Sequence, residues 1–259
     1  MKRKNVLITG GAKGLGKKIA RELASLGHTI LINYRHSEDE ANRLVKELQH
    51  TYNVHAKAIQ CDISNSEECS NMMENILEEY HHIDIFIHNA GPYIKERKNF
   101  DTYSNEEWDY IVNGNLNSAF YLSKLIVPSM RERKWGRIIS FGFDRVETAP
   151  GWIYRSAFAA SKAALASFTR TLAIEEASNG ITANMVCPGD IHEEWKESTI
   201  ASVREQVDET VPVGRPGTGE DIARVVAFLC EEKADFMTGS IIPVTGGKDV
   251  LGKYYRKEG

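Results

Sequence analysis

Short aliphatic runs alternate with longer segments in which apolar residues recur every three or four positions along the first part of the chain. The runs are rich in β-branched residues, which is typical of strands buried on both faces of a sheet. The predicted strands are Val6–Ile8, His28–Asn33, Val54–Cys61 and Ile83–His88. One predicted amphipathic helix follows Gly16, and two more cover Ser37–Tyr52 and Ser66–Tyr80. This alternation predicts an α/β fold, a doubly wound parallel sheet with helices on both faces.

A glycine-rich turn follows the first strand directly. In the stretch VLITGGAKGLG, Gly10, Gly14 and Gly16 lie between the aliphatic run and an amphipathic helix. Glycines let the backbone approach a pyrophosphate, and the helix N-terminus presents free N–H groups with a partial positive charge. Strand, turn and helix in this order predict a Rossmann-type dinucleotide-binding domain rather than an ordinary glycine-rich turn.

The residues after the second strand bear on the choice of cofactor. Dinucleotide folds that bind NADH carry an acidic residue here, which binds the ribose hydroxyls and repels a 2′-phosphate. This chain has Asn33, Tyr34 and Arg35 instead, and Lys13 lies within the glycine turn. Two cations without a carboxylate favour NADPH over NADH. The alternative is that Lys13 and Arg35 are solvated surface charges.

Composition and charge narrow the function classes. The 259 residues carry 32 basic and 36 acidic side chains without a long run of one sign, which argues against a nucleic-acid or polybasic membrane partner. The first apolar run ends at Ile8, too early for a signal peptide or a membrane span, and favours a cytoplasmic protein. The scattered cysteines favour reduced thiols over disulfides or metal ligands. We expect one domain over residues 1–259, acting on small molecules and holding no metal.

Motifs in order along the chain carry a family resemblance. They are TGGAKGLG from Thr9, Asp62-Ile63, Asn89-Ala90-Gly91, Asn115 in NGNLNSAF, GRII from Gly136, Lys162 and Pro188-Gly189. Together they resemble the short-chain dehydrogenase/reductase family, and most closely its 3-oxoacyl-acyl-carrier-protein reductases. The resemblance implies fatty acid metabolism, an acyl-thioester or other small-molecule substrate, and a homo-oligomer, dimer or tetramer.

The same resemblance implies where a cofactor binds. Asp62 and Ile63 would hold the adenine, the loop at Asn89 would line the nicotinamide ribose, and Pro188 to Ile191 would cover the nicotinamide. A substrate lid would lie at about residues 190–212, with Trp195 either capping a ligand or packing on the domain. The expected cofactor-binding residues are Gly10, Lys13, Gly14, Leu15, Gly16, Asn33, Tyr34, Arg35, Asp62, Ile63, Asn89, Ala90, Gly91, Lys162, Pro188, Gly189 and Ile191.

The proton relay of the family is incomplete in this sequence. In the family, Ser and Tyr hydroxyls bind the substrate oxygen, a Lys four residues after the Tyr lowers its pKa, and an Asn extends the relay. Lys162 and Asn115 are present, but Phe158 and Phe143 occupy the Tyr and Ser positions. Phenylalanine cannot protonate an alkoxide, and a positioned general acid contributes about 10²- to 10⁴-fold in rate.

Two tyrosines are candidates for the missing donor. Tyr154, eight residues before Lys162, resembles in part the more distant tyrosine of enoyl-acyl-carrier-protein reductases, although a continuous helix would place it about 12 Å along the axis. Tyr93, shortly after Gly91, is a second candidate. Asp190 and Glu193 lie where relatives carry an apolar residue and a Thr, and face either the cofactor or solvent.

The sequence thus predicts an NADPH-dependent oxidoreductase that reduces a carbonyl or activated alkene of an acyl-type substrate with a non-standard proton donor. The catalytic candidates are Lys162, Asn115 and Tyr154. One alternative is a degenerate dinucleotide-binding protein with little or no turnover, since both relay hydroxyls are missing. The other is an enoyl reductase that uses Tyr154.

Overall fold

The computed structural model describes residues 3–248. Seven parallel strands form one sheet, and their bounds are β1 Asn5–Ile8, β2 Thr29–Tyr34, β3 Ala56–Gln60, β4 Ile85–His88, β5 Gly136–Phe141, β6 Ile181–Pro188 and β7 Ile241–Val244. Their order in the sheet is β3-β2-β1-β4-β5-β6-β7. The connection from β3 to β4 passes over β2 and β1, and the later strands are added on the opposite side of β1. This reversal confirms the predicted doubly wound parallel sheet.

Helices cover both faces of this sheet. Their bounds are α1 Gly14–Ser25, α2 Glu38–Tyr52, α3 Ser66–Tyr80, α4 Asn105–Val112, α5 Ser118–Arg133, α6 Ser156–Glu176, α7 Ile200–Val203 and α8 Gly219–Cys230. The predicted bounds of α3 are confirmed, whereas β3 and β4 each begin two residues later than their patterns suggested. In the lid region the structure contains a short 3₁₀ turn, Glu193–Trp195, and α7.

The aliphatic strands build a core on each side of the sheet. Val6 and Ile8 of β1 pack with α1, α2 and α8 on one face, whereas Leu7 packs with α3 and α5 on the other. All three side chains are fully buried, because successive strand residues point to opposite faces and both faces are covered. The two cores hold the strand ends in register, and the site lies at the carboxyl ends of the strands.

A third cluster lies beneath α6 at that edge of the sheet, and it includes Phe143, Leu165 and Met185. All four cysteines are buried free thiols. Within residues 3–248, no helix combines the length and apolarity needed to span a membrane. The same residues contain no group of three or more His, Cys, Asp or Glu side chains that could hold a metal ion.

Candidate active site

The glycine turn between β1 and α1 has the backbone conformation that its sequence predicts. Gly10 and Gly14 have φ of +60° and +57°, a region that favours glycine. A Cβ on Gly16 would lie 2.5 Å from the carbonyl oxygen of Gly10, so the helix packs directly against the turn. The side-chain amide of Asn89 donates to the carbonyls of Thr9 at 2.9 Å and Gly10 at 3.1 Å. The end of β4 therefore fixes the shape of the turn.

A first cavity of about 210 Å³ opens beside this turn, and Gly10, Asn33, Arg35, Asp62, Ile63 and Tyr110 are among its lining residues. Buried Asn33 donates from its amide to the carbonyl of Cys61 at 3.0 Å, which joins β2 to the end of β3. The side chain of Tyr34 points to the other face of the sheet and packs in the α1 and α2 core. The structure thus brings Asn33 and Arg35 to the cavity, but not the side chain of Tyr34.

Arg35 and Lys13 do not share one site. The guanidinium of Arg35 bonds to Asp62 at 3.2 Å and lies 5.3 Å from the centre of the Tyr110 ring. Lys13, with 56% of its side chain exposed, instead forms an ion pair of 2.8 Å with Glu40 on α2. Of these two cations, Arg35 therefore lines the first cavity.

A second cavity of about 450 Å³ continues along the same edge, with Gly91 in the lining of both. Leu15, Asn89, Lys162, Pro188, Gly189 and Ile191 contribute to its walls. Lys162 is 4% exposed, and burial lowers the pKa of its ammonium to about 8, although the nearby Cys187 acts in the opposite direction. A buried cation at the wall of a cleft is typical of a functional site.

Asn115 lies next to Lys162 in a π-helical turn, Asn113–Asn117, between α4 and α5. Its amide nitrogen donates to the carbonyls of Pro92 at 2.8 Å and Ile111 at 3.0 Å. Its buried Oδ1 has no hydrogen-bond partner among the described residues. A Cβ on Gly91 would lie 2.3 Å from Asn115 Oδ1 and 3.3 Å from Lys162 Nζ. Both polar groups therefore face the backbone of Gly91 at the junction of the two cavities.

Aromatic rings form the opposite wall of the second cavity. Phe143 lies 4.9 Å from Trp152 and 6.3 Å from Phe158 between ring centroids, and Trp152 lies 5.9 Å from Phe158. The ammonium of Lys162 is 5.6 Å from the centre of the Phe158 ring. None of these three rings carries a hydroxyl group that could take part in a proton relay.

Comparison with known proteins identifies the family. A sequence profile described as enoyl-(acyl carrier protein) reductase matches residues 10–249. The chain belongs to the short-chain dehydrogenase/reductase family. The predicted family is thereby confirmed, and the chain is an oxidoreductase of that family.

Three relatives are similar over nearly their whole length. The protein named "Putative oxidoreductase YtkK" of Bacillus subtilis is 46% identical over 251 residues, which cover 96% of this chain and 98% of the relative. The 3-oxoacyl-[acyl-carrier-protein] reductase of Pseudomonas aeruginosa is 36% identical over 244 residues, which cover 94% of this chain and 96% of the relative. A solved structure from Bacillus thuringiensis, described as a "putative 3-oxoacyl-reductase", superposes with a TM-score of 0.86 at 44% identity, covering 96% of this chain and 99% of the other.

The two candidate tyrosines lie differently with respect to the cleft of this short-chain dehydrogenase/reductase. Tyr154 is in the turn before α6 with φ +63°, and it is not among the described residues that line the second cavity. Tyr93 does line that cavity, and its hydroxyl oxygen accepts a hydrogen bond of 2.6 Å from Nε of Arg155. The structure thus brings Lys162 and Tyr93 to one cleft, with Asn115 buried against Gly91 of its wall, and leaves Tyr154 out of the described lining.

The lid region contributes charged groups on this side of the sheet. Glu193 lines the second cavity and bonds to Lys196 at 2.8 Å, while Asp190 lies 3.8 Å from Lys248. Asp190 also lines this cavity, and both carboxylates have cationic neighbours, while 74% of the Glu193 side chain is exposed to solvent. Trp195 ends the 3₁₀ turn and is absent from the described lining of both cavities.

Some residues of the site had no signal in the sequence. Arg155 reaches Tyr93 across 62 residues of chain, and Tyr110 packs against Arg35 from α4. His88, at the end of β4, bonds to Ser118 at 2.8 Å. Burial, aided by the charge of Lys162, lowers the pKa of His88 to about 3, so the ring is neutral. A strand-end position could have indicated His88, whereas the contacts of Arg155 and Tyr110 depend on tertiary packing.

Proposed function

We propose that this short-chain dehydrogenase/reductase is an NADPH-dependent reductase of a carbonyl or activated alkene on an acyl-type substrate. The observation that carries the proposal is the junction of the two cavities at Gly91, which Lys162 and Asn115 face. Relatives named 3-oxoacyl-[acyl-carrier-protein] reductase support the acyl substrate class.

The residues at the carboxyl edge of the sheet fit a nicotinamide dinucleotide. The glycine turn ends at the N-terminus of α1, where a diphosphate would take the place of the Glu197 carboxylate that accepts from the backbone N–H of Gly14. The cavities on either side suit the two nucleoside halves. Asp62 and Ile63 would hold the adenosine half, and Asn89, Ala90, Gly91, Pro188, Gly189 and Ile191 the nicotinamide half. Bound there, the cofactor would supply hydride to the substrate carbon.

Arg35 supports the choice of NADPH. Its guanidinium lines the first cavity, and a 2′-phosphate there would receive charge-assisted hydrogen bonds from it. The partner Asp62 is also bound to the backbone N–H and hydroxyl of Ser64, so it keeps hydrogen bonds when Arg35 turns to a ligand. Lys13 would add longer-range attraction, screened by Glu40.

Lys162 and Asn115 would act on the nicotinamide side. The ammonium of Lys162 would donate to ribose hydroxyls, and the unpartnered Oδ1 of Asn115 would accept from an ordered water between the two side chains. In these roles the two side chains would position the cofactor, and neither side chain would itself protonate the substrate.

Two further candidate functions rest on the apolar wall. Phe143 and Phe158 place no hydroxyl beside Lys162, which favours a dinucleotide-binding protein without turnover. Reduction of an enoyl substrate is the second alternative, because hydride then adds to carbon and the enolate oxygen needs stabilisation, which Tyr154 would supply if the turn before α6 rearranged.

One experiment separates these functions. The purified protein is titrated with NADPH, and NADPH oxidation is then followed with an acetoacetyl and a crotonyl thioester side by side. We expect binding and turnover, with the preferred thioester separating ketone from alkene reduction. Tight NADPH binding without turnover of either thioester would support the binding protein and contradict the proposed reductase.

We also propose a cytoplasmic homo-oligomer, a dimer or tetramer, that acts in fatty acid metabolism. Three exposed apolar side chains support assembly through α5, α6 and the region before β7. They are Phe120 at 49%, Ile174 at 81% and Phe236 at 100% exposure. Light scattering of the purified protein tests this assembly.

A further inference from the structure

A tyrosine lines the second cavity beside Phe158, the residue at the predicted tyrosine position of the family. Tyr93 lies in the loop after β4, and its ring meets the ring of Phe158 edge to face, with 5.2 Å between centroids and 89° between planes. Tyr93 is 44% exposed and lines the cavity together with Phe158 and Lys162. Its phenol therefore stands at the cleft where two other side chains lack a transferable proton.

Arg155 fixes the position of this phenol. Its Nε donates to the Tyr93 hydroxyl oxygen at 2.6 Å, and its guanidinium carbon lies 4.7 Å from the Tyr93 ring centre. Its terminal nitrogens donate to the backbone carbonyls of Glu96 and Lys95 at 2.5 Å and 3.0 Å. One arginine at the start of α6 thus holds both the tyrosine and the loop that carries it.

The direction of this hydrogen bond matters for chemistry. A guanidinium has donors and no acceptor, so the phenol oxygen accepts from Arg155 and its own proton is left for another acceptor. A cation on that oxygen also stabilises the negative charge that remains when the proton leaves. Tyr93 and Arg155 therefore have the arrangement that a general acid needs.

We propose that Tyr93 is the proton donor of this enzyme, in place of the tyrosine that Phe158 replaces. The assignment rests on the proposed reductase function. Hydride adds to the substrate carbonyl carbon, the π-electron pair moves to oxygen, and that oxygen takes the proton of the Tyr93 hydroxyl. Arg155 balances the resulting phenolate, and solvent water returns the proton through the exposed side of the ring. With an enoyl substrate, the enolate oxygen takes the same proton.

Arg155 is a positioning residue in this assignment. It touches the donor and two loop carbonyls, so its own substitution alters both charge and loop geometry. The test therefore begins at Tyr93, where a single oxygen atom is removed and the ring contact with Phe158 is kept.

The experiment compares three hydroxyl deletions, each in the full chain. Tyr93→Phe should lower kcat with the better thioester by about 10²-fold or more. The NADPH dissociation constant, measured by fluorescence, should stay within about twofold of the parent value. The melting temperature should stay within about 2 °C of the parent value. Tyr80→Phe, on α3 and hydrogen-bonded to His55 away from the cleft, is the matched control and should leave kcat unchanged. Tyr154→Phe tests the competing donor.

A solvent isotope effect separates a chemical role from a structural one. In the parent protein, kcat should fall in D₂O because a phenol O–H bond breaks in the slow step. That effect should change in Tyr93→Phe and stay the same in Tyr80→Phe. Loss of NADPH affinity or of thermal stability together with kcat in Tyr93→Phe would show a structural role and overturn the assignment.

The remaining outcomes distinguish the two proposals. Parent turnover that survives in Tyr93→Phe and falls in Tyr154→Phe would contradict the Tyr93 assignment and leave the reductase function intact. Absence of parent turnover despite NADPH binding would contradict the reductase function and the donor assignment together.

Discussion

The carboxylate of Glu197 accepts a hydrogen bond of 3.0 Å from the backbone N–H of Gly14, the first residue of α1. Its second oxygen accepts a hydrogen bond of 2.6 Å from Nζ of Lys17. An anion from the lid segment thus occupies the helix N-terminus that a diphosphate would need. Burial alone raises the pKa of Glu197, but the bonds from Lys17 and Gly14 outweigh it and hold that pKa below its ordinary value.

The first prediction follows from this contact. Glu197→Gln removes the competing charge, so we expect NADPH to bind about tenfold more tightly, measured by fluorescence titration. Glu194→Gln, an exposed carboxylate of the same segment, is the control and should bind NADPH as the parent does. Equal affinities of parent and Glu197→Gln would show that the lid carboxylate does not compete with the cofactor.

The second prediction concerns the 2′-phosphate. Arg35→Ala removes a cation that lines the first cavity, so NADPH should bind about 10- to 100-fold more weakly while the affinity for NADH changes little. Arg43→Ala, an exposed arginine of α2 bonded to the carbonyl of Asp39, serves as the matched charge deletion. A parallel loss for NADH and NADPH in Arg35→Ala would remove Arg35 from the phosphate site.

The third prediction concerns stability and its pH dependence. Lys162 is buried with a pKa of about 8, below that of an unfolded lysine, so its charged form is disfavoured in the native state. Lys162→Met should therefore raise the unfolding free energy near neutral pH by an amount on the order of 3 kcal/mol, while abolishing turnover. Between about pH 8 and 10.4 the unfolded parent binds more protons, so the parent should gain stability and the difference should shrink.

Denaturant melts of both proteins at neutral and alkaline pH check this prediction. Ala163→Met, the next position on α6, is a control for the added thioether at a partly buried site. A Lys162→Met protein less stable than the parent at neutral pH would mean that the ammonium contributes more by its contacts than its burial costs.

The fourth prediction adds a hydroxyl at position 158, the predicted tyrosine position of the family. Phe158 lies four residues before Lys162 on α6, with its ring 5.6 Å from the ammonium. Phe158→Tyr should raise acetoacetyl thioester reduction about tenfold, because a second proton donor then faces the cleft. Phe228→Tyr, on an exposed ring of α8, controls for added hydroxyl and should leave the rate unchanged. An unchanged rate in Phe158→Tyr would place the reacting oxygen away from the Phe158 ring.

The backbone of the site could be predicted from the sequence because its signals are local. Buried strands need continuous aliphatic residues, as in Val6–Ile8, and the tight turn needs glycine at Gly10 and Gly14. Lys162 and Asn115 were identified through their spacing within motifs, and the structure brings both to Gly91. These residues lie on regular elements whose geometry is set by the sheet.

The side chains on loops could not be predicted in the same way. Lys13 bonds to Glu40, and Tyr93 to Arg155, across 27 and 62 residues of chain respectively, so no local pattern indicates either pair. The position of Tyr154 depends on a backbone with φ +63°, which is unusual for a tyrosine and is fixed by the turn around it. Long-range contacts, rather than propensity, decide which tyrosine reaches the cleft.

The aromatic wall gives the protein its own optical probe. Trp152, one of four tryptophans in the chain, is the one that lies among the described residues of the second cavity. Its indole contacts Phe143 at a tilt and Phe158 edge to face, and phenylalanine neither absorbs nor emits at indole wavelengths. A reduced nicotinamide bound nearby would therefore quench Trp152 by energy transfer. Occupancy of the cleft can therefore be followed without a label, in the wild-type protein and in every variant that keeps Trp152.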